Sequence, residues 1–246
     1  MSGLGGSAWA RWPWAGSGHG PLPPLLVMLT VVTGLVDSVS YVALGHVFVA
    51  NMTGNVVFLG FALAGARGLS VWAALAAAAA FLAGATAGGR IGARFGAHRG
   101  RLLRSATATG APLVLAATVV AAIAGQPVSE GPRYALIVLL AVAMGVQNAV
   151  ARRLAVPDLT TTVLTLTLTG IAADSKLAGG PGGHPARRIL AVGAMFTGAL
   201  VGALLVVHVD LVLPLALAAV LVASAGLITL ALPDRDGDWT RPAGSP

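Results

Sequence analysis

Six stretches of this sequence, near residues 25–44, 71–93, 105–124, 134–151, 189–208 and 212–232, are apolar almost throughout. Each approaches the roughly 20 residues that a helix needs to cross about 30 Å of hydrocarbon. Only a helix or a closed barrel satisfies its own backbone there, and runs of this length are too long for barrel strands. The expected fold is therefore all-α, a polytopic integral membrane protein. Its surface agrees: 9% of the residues are charged and 57% hydrophobic, whereas a water-soluble domain carries about a quarter charged residues.

Two further stretches are ambiguous. Residues 46–65 open with "HVFVANMTGN", which mixes Val47, Phe48 and Val49 with His46, Asn51, Thr53 and Asn55. Residues 158–173, "DLTTTVLTLTLTGIAA", are shorter and rich in threonine. Basic residues arbitrate, because cytoplasmic loops gather them. If both stretches enter and leave one face, and the N-terminus is cytoplasmic, the arginines of 90–104, 152–153 and 187–188 all lie inside, and only Arg67 and Arg133 lie outside. Eight full spans would split the basic residues almost evenly. Seven, with 46–65 crossing, lose only Arg11 from that count. The preferred reading is six transmembrane helices plus two broken or re-entrant segments. Residues 1–24, with Trp9, Trp12, Trp14 and four prolines, are expected to be a flexible tail, residues 25–232 one transmembrane domain, and 233–246 a polar C-terminal tail.

The chain also resembles itself. "GLVDSVSYVAL" (34–44) matches "GVQNAVARRLA" (145–155), which sets Asp37 opposite Asn148. "MTGN" (52–55) falls opposite "LTLT" (164–167), and "GATAG" (84–88) opposite "GALVG" (198–202). Three spans per half, about 25–124 and 134–232, would insert the second half upside down, an inverted repeat of the kind found in transporters. Gly84, Gly88, Gly92 and Gly96 recur every four residues, as do Gly198 and Gly202. Such faces let helix backbones approach closely and gain dispersion contacts that lipid cannot match.

Asp37 is the most informative single residue, since an acid inside a span costs about 2.5–3.5 kcal/mol on insertion scales. Two readings are open for it: a proton or cation site, or a helix-to-helix hydrogen bond such as Asn148 makes in the other half. Asn51, Thr53 and Asn55 alternate, so extended backbone would aim them one way, and Gly54 permits a break. They line a cavity at a bend, or else Asn51 or Thr53 caps a helix start at the membrane surface. In the second half Gln147, Asn148 and Thr165 take the corresponding places. Most of the threonines are expected to bond back to their own helix carbonyls, with Asp158 as an N-cap. Asp174 reads as a solvated loop residue, and His46 and His208 as interfacial side chains.

Several classes fall away. With no cysteine there is no disulfide and no thiolate metal site. No HExxH, GxSxG, Walker loop or dinucleotide fingerprint occurs, so neither an enzyme nor a cofactor is expected. The net charge of +7 comes from arginines between apolar runs, which membrane topology explains without nucleic acid.

"TGLVDSVSYVALGHVFVANMTGNVVFLG" (33–60) and "AMGVQNAVARRLAVPDLTTTVLTLTLTG" (143–170) resemble the bacterial YoaK-type membrane proteins, a domain-of-unknown-function family, over most of residues 25–232. The family's second block has a glycine where this chain has Leu166. The resemblance implies a multi-pass protein of the bacterial inner membrane and supplies no activity. The chemistry above favours a transporter or channel for a small polar molecule or ion, lined by Asp37, Asn51, Thr53, Asn55, Gln147, Asn148 and Thr165 where the two broken segments meet. The alternative is a non-transporting scaffold that packs, with itself or with partners, through its GxxxG faces.

Overall fold

The computed structural model describes residues 19–156, 164–180, 185–232 and 238–241. Among the described residues eight α-helices follow one another: α1 Leu22–Ala43, α2 Met52–Leu63, α3 Val71–Phe95, α4 Arg99–Ala124, α5 Glu130–Leu154, α6 Leu164–Ala173, α7 Pro185–His208 and α8 Val212–Ala231. Six are long and apolar enough to cross a membrane, while α2 and α6 are short apolar helices. The chain is an all-α polytopic membrane protein, with the six long helices where the apolar runs predict them.

Helix starts differ from the expectation in a physically simple way. α1 begins at Leu22, so Pro23 and Pro24 lie inside its first turn and not in a tail. Proline is tolerated there because first-turn N–H groups have no intrahelical partner to lose. α4 begins at Arg99, where the His98 side chain accepts from the Arg101 N–H as an N-cap. The expected C-terminal tail is likewise partly docked. Trp239 packs against Gly20 and Gly100, and Thr240 is buried.

α1, α4, α5 and α8 form the centre, with α7 packed along α1 and α3 along α5. The start of α1 meets the start of α4 and the end of α5, since Arg99 contacts both His19 and the Leu154 carbonyl. α1 and α5 therefore run in opposite directions. The glycine contacts on these two helices correspond one to one. A Cβ on Gly34 would lie 2.5 Å from Met195 O and 2.6 Å from Ala199 N, while one on Gly145 would lie 2.2 Å from Phe81 O and 2.7 Å from Ala85 N. Conversely, Gly198 abuts Val31 O and Gly84 abuts Val142 O, each at 2.2 Å from the added carbon. Gly202 meets Leu35 and Ser38, as Gly88 meets Val146 and Ala149. Only a residue without a side chain lets helices come this close. Gly92 continues the α3 seam against the Arg153 side chain.

Candidate functional site

The polar knot of the sequence, His46 with Asn51, Thr53 and Asn55, runs from just past the end of α1 into the first turn of α2. After Ala43 the chain turns back through Gly45 (φ +99°) and His46 (φ +59°), both left-handed. Residues 47–50 then run without helical hydrogen bonds, yet Val47, Val49 and Ala50 are buried. Buried irregular backbone needs partners for its amides. Two side chains supply them. Asp37 Oδ1 accepts from Val49 N at 3.0 Å and from Ala50 N at 2.8 Å. Asn55 Oδ1 accepts from Phe48 N at 2.7 Å, and Asn55 Nδ2 donates to Phe48 O at 2.5 Å.

This clamp explains most of the knot. Asp37 is six residues before the end of α1, so at 1.5 Å per residue it sits about 9 Å inside that end. It therefore sets the depth at which α2 begins. The amides of Val49 and Ala50 stand just before the N-cap of α2, and α1 provides their acceptor from within the chain. Asp37 Oδ2 is enclosed, close to the amide of Asn51 but without a well-formed hydrogen bond. Asn51 occupies the N-cap position of α2 and makes no side-chain cap bond. The Phe48 ring stacks on Tyr41 (5.2 Å between centroids) and on Phe58 (5.6 Å). Gly54 is required by that stack, since a Cβ there would lie 2.6 Å from Phe48 Cδ2. His46 Nδ1 contacts Gly68 O at 3.1 Å, tying the turn to the loop that follows α2.

The seven residues expected to line one site do not come together. Asp37, Asn51 and Asn55 share the clamp, whereas Thr53 lies on the exposed side of α2. Gln147 is buried between α5 and α1, donating to Thr33 Oγ1 at 3.0 Å and to Leu29 O at 3.2 Å. Asn148 donates to Met144 O of its own helix. Thr165 is exposed, and Thr167 is the threonine of α6 that faces inward. The expected meeting of the two short helices is also corrected: α2 packs on α3 and α6 packs on α7. The swap of partners causes this, because α3 belongs against α5 and α7 against α1, which carries the short helices apart. Asp158 and Thr160–Thr162 lie outside the described residues. Asp174 is not a plain solvated loop residue, since its Oδ2 pairs with Arg188 Nη1 at 2.7 Å and so ties the end of α6 to α7.

A cavity of about 10 Å³ lies among α1, α4, α5 and α8, lined by Leu26, Leu103, Val114 and Val222 with Thr107 and Gln147 as its polar groups. That volume admits about one water molecule. No group of three or more potential metal-ligating side chains occurs among the described residues.

Several contributors escaped the sequence reading. The partnership of Phe48 with Tyr41 and Phe58 spans two helices and a turn, and aromatic residues in apolar runs carry no sign of it. The link from Gln147 to Thr33 was visible only as two polar residues on spans.

A helical bundle with two short apolar helices, one of them held by a buried acid and a buried amide, defines a class: a multi-pass membrane protein with a half-length helix tied to a neighbouring span. The chain belongs to the family described as "Protein of unknown function (DUF1275)", which matches residues 25–229. It is similar to "UPF0700 transmembrane protein YoaK" of Bacillus subtilis (strain 168), with 33% identity over 150 residues. That match covers 61% of this chain and 65% of the relative, just under two thirds of its length. No solved structure matches.

Proposed function

We propose that the chain is a transporter or channel of the bacterial inner membrane for a small molecule or ion, seen closed, with its two halves forming an inverted repeat. The observation that carries this reading is the reciprocity of the glycine seams. Gly34 and Val31 on α1 stand 111 residues before Gly145 and Val142 on α5, and Gly84 on α3 stands 114 before Gly198 on α7. The two seams run oppositely because α1 and α5 do. A structure built from two such halves has two related ways to pack, and exchanging them moves access from one face to the other.

On this reading the permeating species passes the central cavity, with Gln147 and Thr107 as its polar contacts. Asp37 and Asn55 hold α2 in place instead of touching the solute. Thr53 and Thr165 have no part. The end of the bundle where α1 begins carries Arg99, Arg152, Arg153, Arg187 and Arg188, so it is assigned to the cytoplasm. The test is flux in proteoliposomes across a panel of ions and small polar solutes. Flux above protein-free vesicles that Gln147→Leu abolishes is the expected result. No flux for any of them removes the transport reading.

A specific observation favours a second reading, a scaffold: the cavity among α1, α4, α5 and α8 has room for about one water. A cysteine at Thr107, which lines the cavity, decides between them. It reacts with an aqueous thiol reagent if the halves rock open, and stays unlabelled if the bundle is a permanently closed support.

A further inference from the structure

The end of the bundle where α1 begins carries a second feature that the transport reading does not use. Arg99 opens α4 and is 3% exposed, and Arg187, in the first turn of α7, is 8% exposed. A buried guanidinium ordinarily meets a carboxylate, because an unpaired charge out of water is costly. Neither arginine has one among the described residues, whose ion pairs join Arg133 to Glu130 and Arg188 to Asp174. Arg99 instead directs its terminal nitrogens to neutral acceptors, Nη1 to His19 Nδ1 at 3.1 Å and Nη2 to the Leu154 carbonyl. The Nε atoms of both arginines are fully enclosed and have no hydrogen-bond partner.

Arg99 and Arg187 lie at the same end of the bundle, because Arg99 reaches His19 just before α1 and α7 runs parallel to α1, Gly198 against Val31 and Gly202 against Leu35. Burial first, then the charge of Arg99, then that of Arg187, hold the His19 imidazole below the ordinary value of 6.5. His19, in contact with Arg99, therefore resists becoming a further cation. Both arginines also stand at helix starts, where unpaired backbone N–H groups add positive potential. Trp239 roofs this end, so close to Gly100 and Gly20 that a Cβ on either would lie 3.1 Å and 2.6 Å from its ring. A compact, strongly charged group fits such a site better than an extended one.

We propose that Arg99 and Arg187, with the first turns of α4 and α7, form a binding site for a phosphate-type anion at the basic end of the bundle. The planar guanidinium fork of Arg187, which has no partner among the described residues, suits a tetrahedral oxyanion, with Arg99 adding charge beside it, and basic pockets between spans at the cytoplasmic side suit lipid headgroups. The same chemistry is offered by the phosphate of a phospholipid headgroup and by free inorganic phosphate. The site does not depend on whether the chain transports anything.

The test is thermal unfolding of the full chain, purified in a neutral detergent, with three probes: micelles doped with phosphatidylglycerol, micelles doped with phosphatidylcholine, and inorganic phosphate in undoped micelles. Four variants accompany the wild type: Arg187→Gln, Arg187→Lys, Arg99→Gln and, as a control for charge on the same face, the exposed Arg101→Gln. A saturating ligand raises the wild-type Tm by about 5 °C. A rise with phosphatidylglycerol alone identifies a headgroup as the source, and a rise with inorganic phosphate identifies the free anion. In either case Arg101→Gln keeps the rise, Arg187→Lys keeps part of it, and Arg187→Gln and Arg99→Gln lose it. Among the described residues Arg187 makes no hydrogen bond, so without probe Arg187→Gln melts no lower than wild type. No rise with any probe, or a rise that Arg187→Gln and Arg101→Gln share equally, overturns the proposal.

Discussion

Asn55 satisfies both backbone groups of Phe48: its Oδ1 accepts from Phe48 N at 2.7 Å and its Nδ2 donates to Phe48 O at 2.5 Å. A side-chain amide thus stands in for the neighbouring strand that extended backbone would otherwise need. Asn55→Leu keeps the side chain's bulk and removes both bonds, leaving a buried N–H and C=O unpaired. The expected loss is about 2–4 kcal/mol, read as a lowered midpoint in detergent denaturation. A midpoint equal to wild type would mean that water reaches Phe48 and the segment is not sealed.

Asp37 accepts two amides through one oxygen, a task that a neutral amide oxygen can also perform. Asp37→Asn is therefore expected to stay within about 1 kcal/mol of wild type, whereas Asp37→Leu, which orphans Val49 N and Ala50 N, costs about 2–4 kcal/mol. The two variants are compared by thermal unfolding. If asparagine proves as damaging as leucine, the charge itself holds the segment.

The seams make a paired prediction. Gly84→Ala and Gly198→Ala each drive a methyl group into a carbonyl of the facing helix, and overpacking of this kind costs about 1–3 kcal/mol. Their helix neighbours Gly89 and Gly193 have open space where a Cβ would stand. There alanine is expected to stabilise by about 0.5–1 kcal/mol through helix propensity. Parallel losses at residues 84 and 198, with gains at 89 and 193, are the expected pattern in a melting series. Unequal losses would separate the roles of the two halves.

Stability should also depend on pH through His19. Its pKa is lowered in the folded chain, so the folded state binds fewer protons than the unfolded one as pH falls below 6.5. The contribution of a neutral His19 is complete above that value and is lost progressively below it. Comparing the Tm at pH 7.5 and 5.5 in wild type and His19→Gln checks this: the variant should show the shallower drop. An identical drop would assign the acid sensitivity to another group.

The spans were legible because about 20 apolar residues in a row admit few alternatives in lipid. The seams were legible for a related reason: a glycine every fourth residue marks a face wherever the helix lies. Partner choice was not legible. Nothing in "GATAG" says that α3 lies against α5 instead of its sequence neighbour, and the expectation that α2 and α6 meet failed on that point. Asp37, Asn51 and Asn55 stood out as polar residues among apolar ones, but polarity alone does not distinguish a solute contact from a backbone clamp. That distinction needed the depth at which the chain turns back. Arg99 and Arg187 looked like ordinary topology signals, because burial at a helix start leaves no trace in charge pattern.

The exchange of partners bears on how such a chain is made. Gly34 waits for Gly198, which leaves the ribosome about 160 residues later, so at about 5–20 residues per second the glycine face of α1 stands uncovered for roughly ten to thirty seconds. During that interval its stripe of bare backbone is in the company of lipid, insertion machinery or a chaperone. Truncation anywhere before α7 would leave the first span without its lifelong neighbour, so biogenesis of this fold has to be a late event, completed near the end of synthesis.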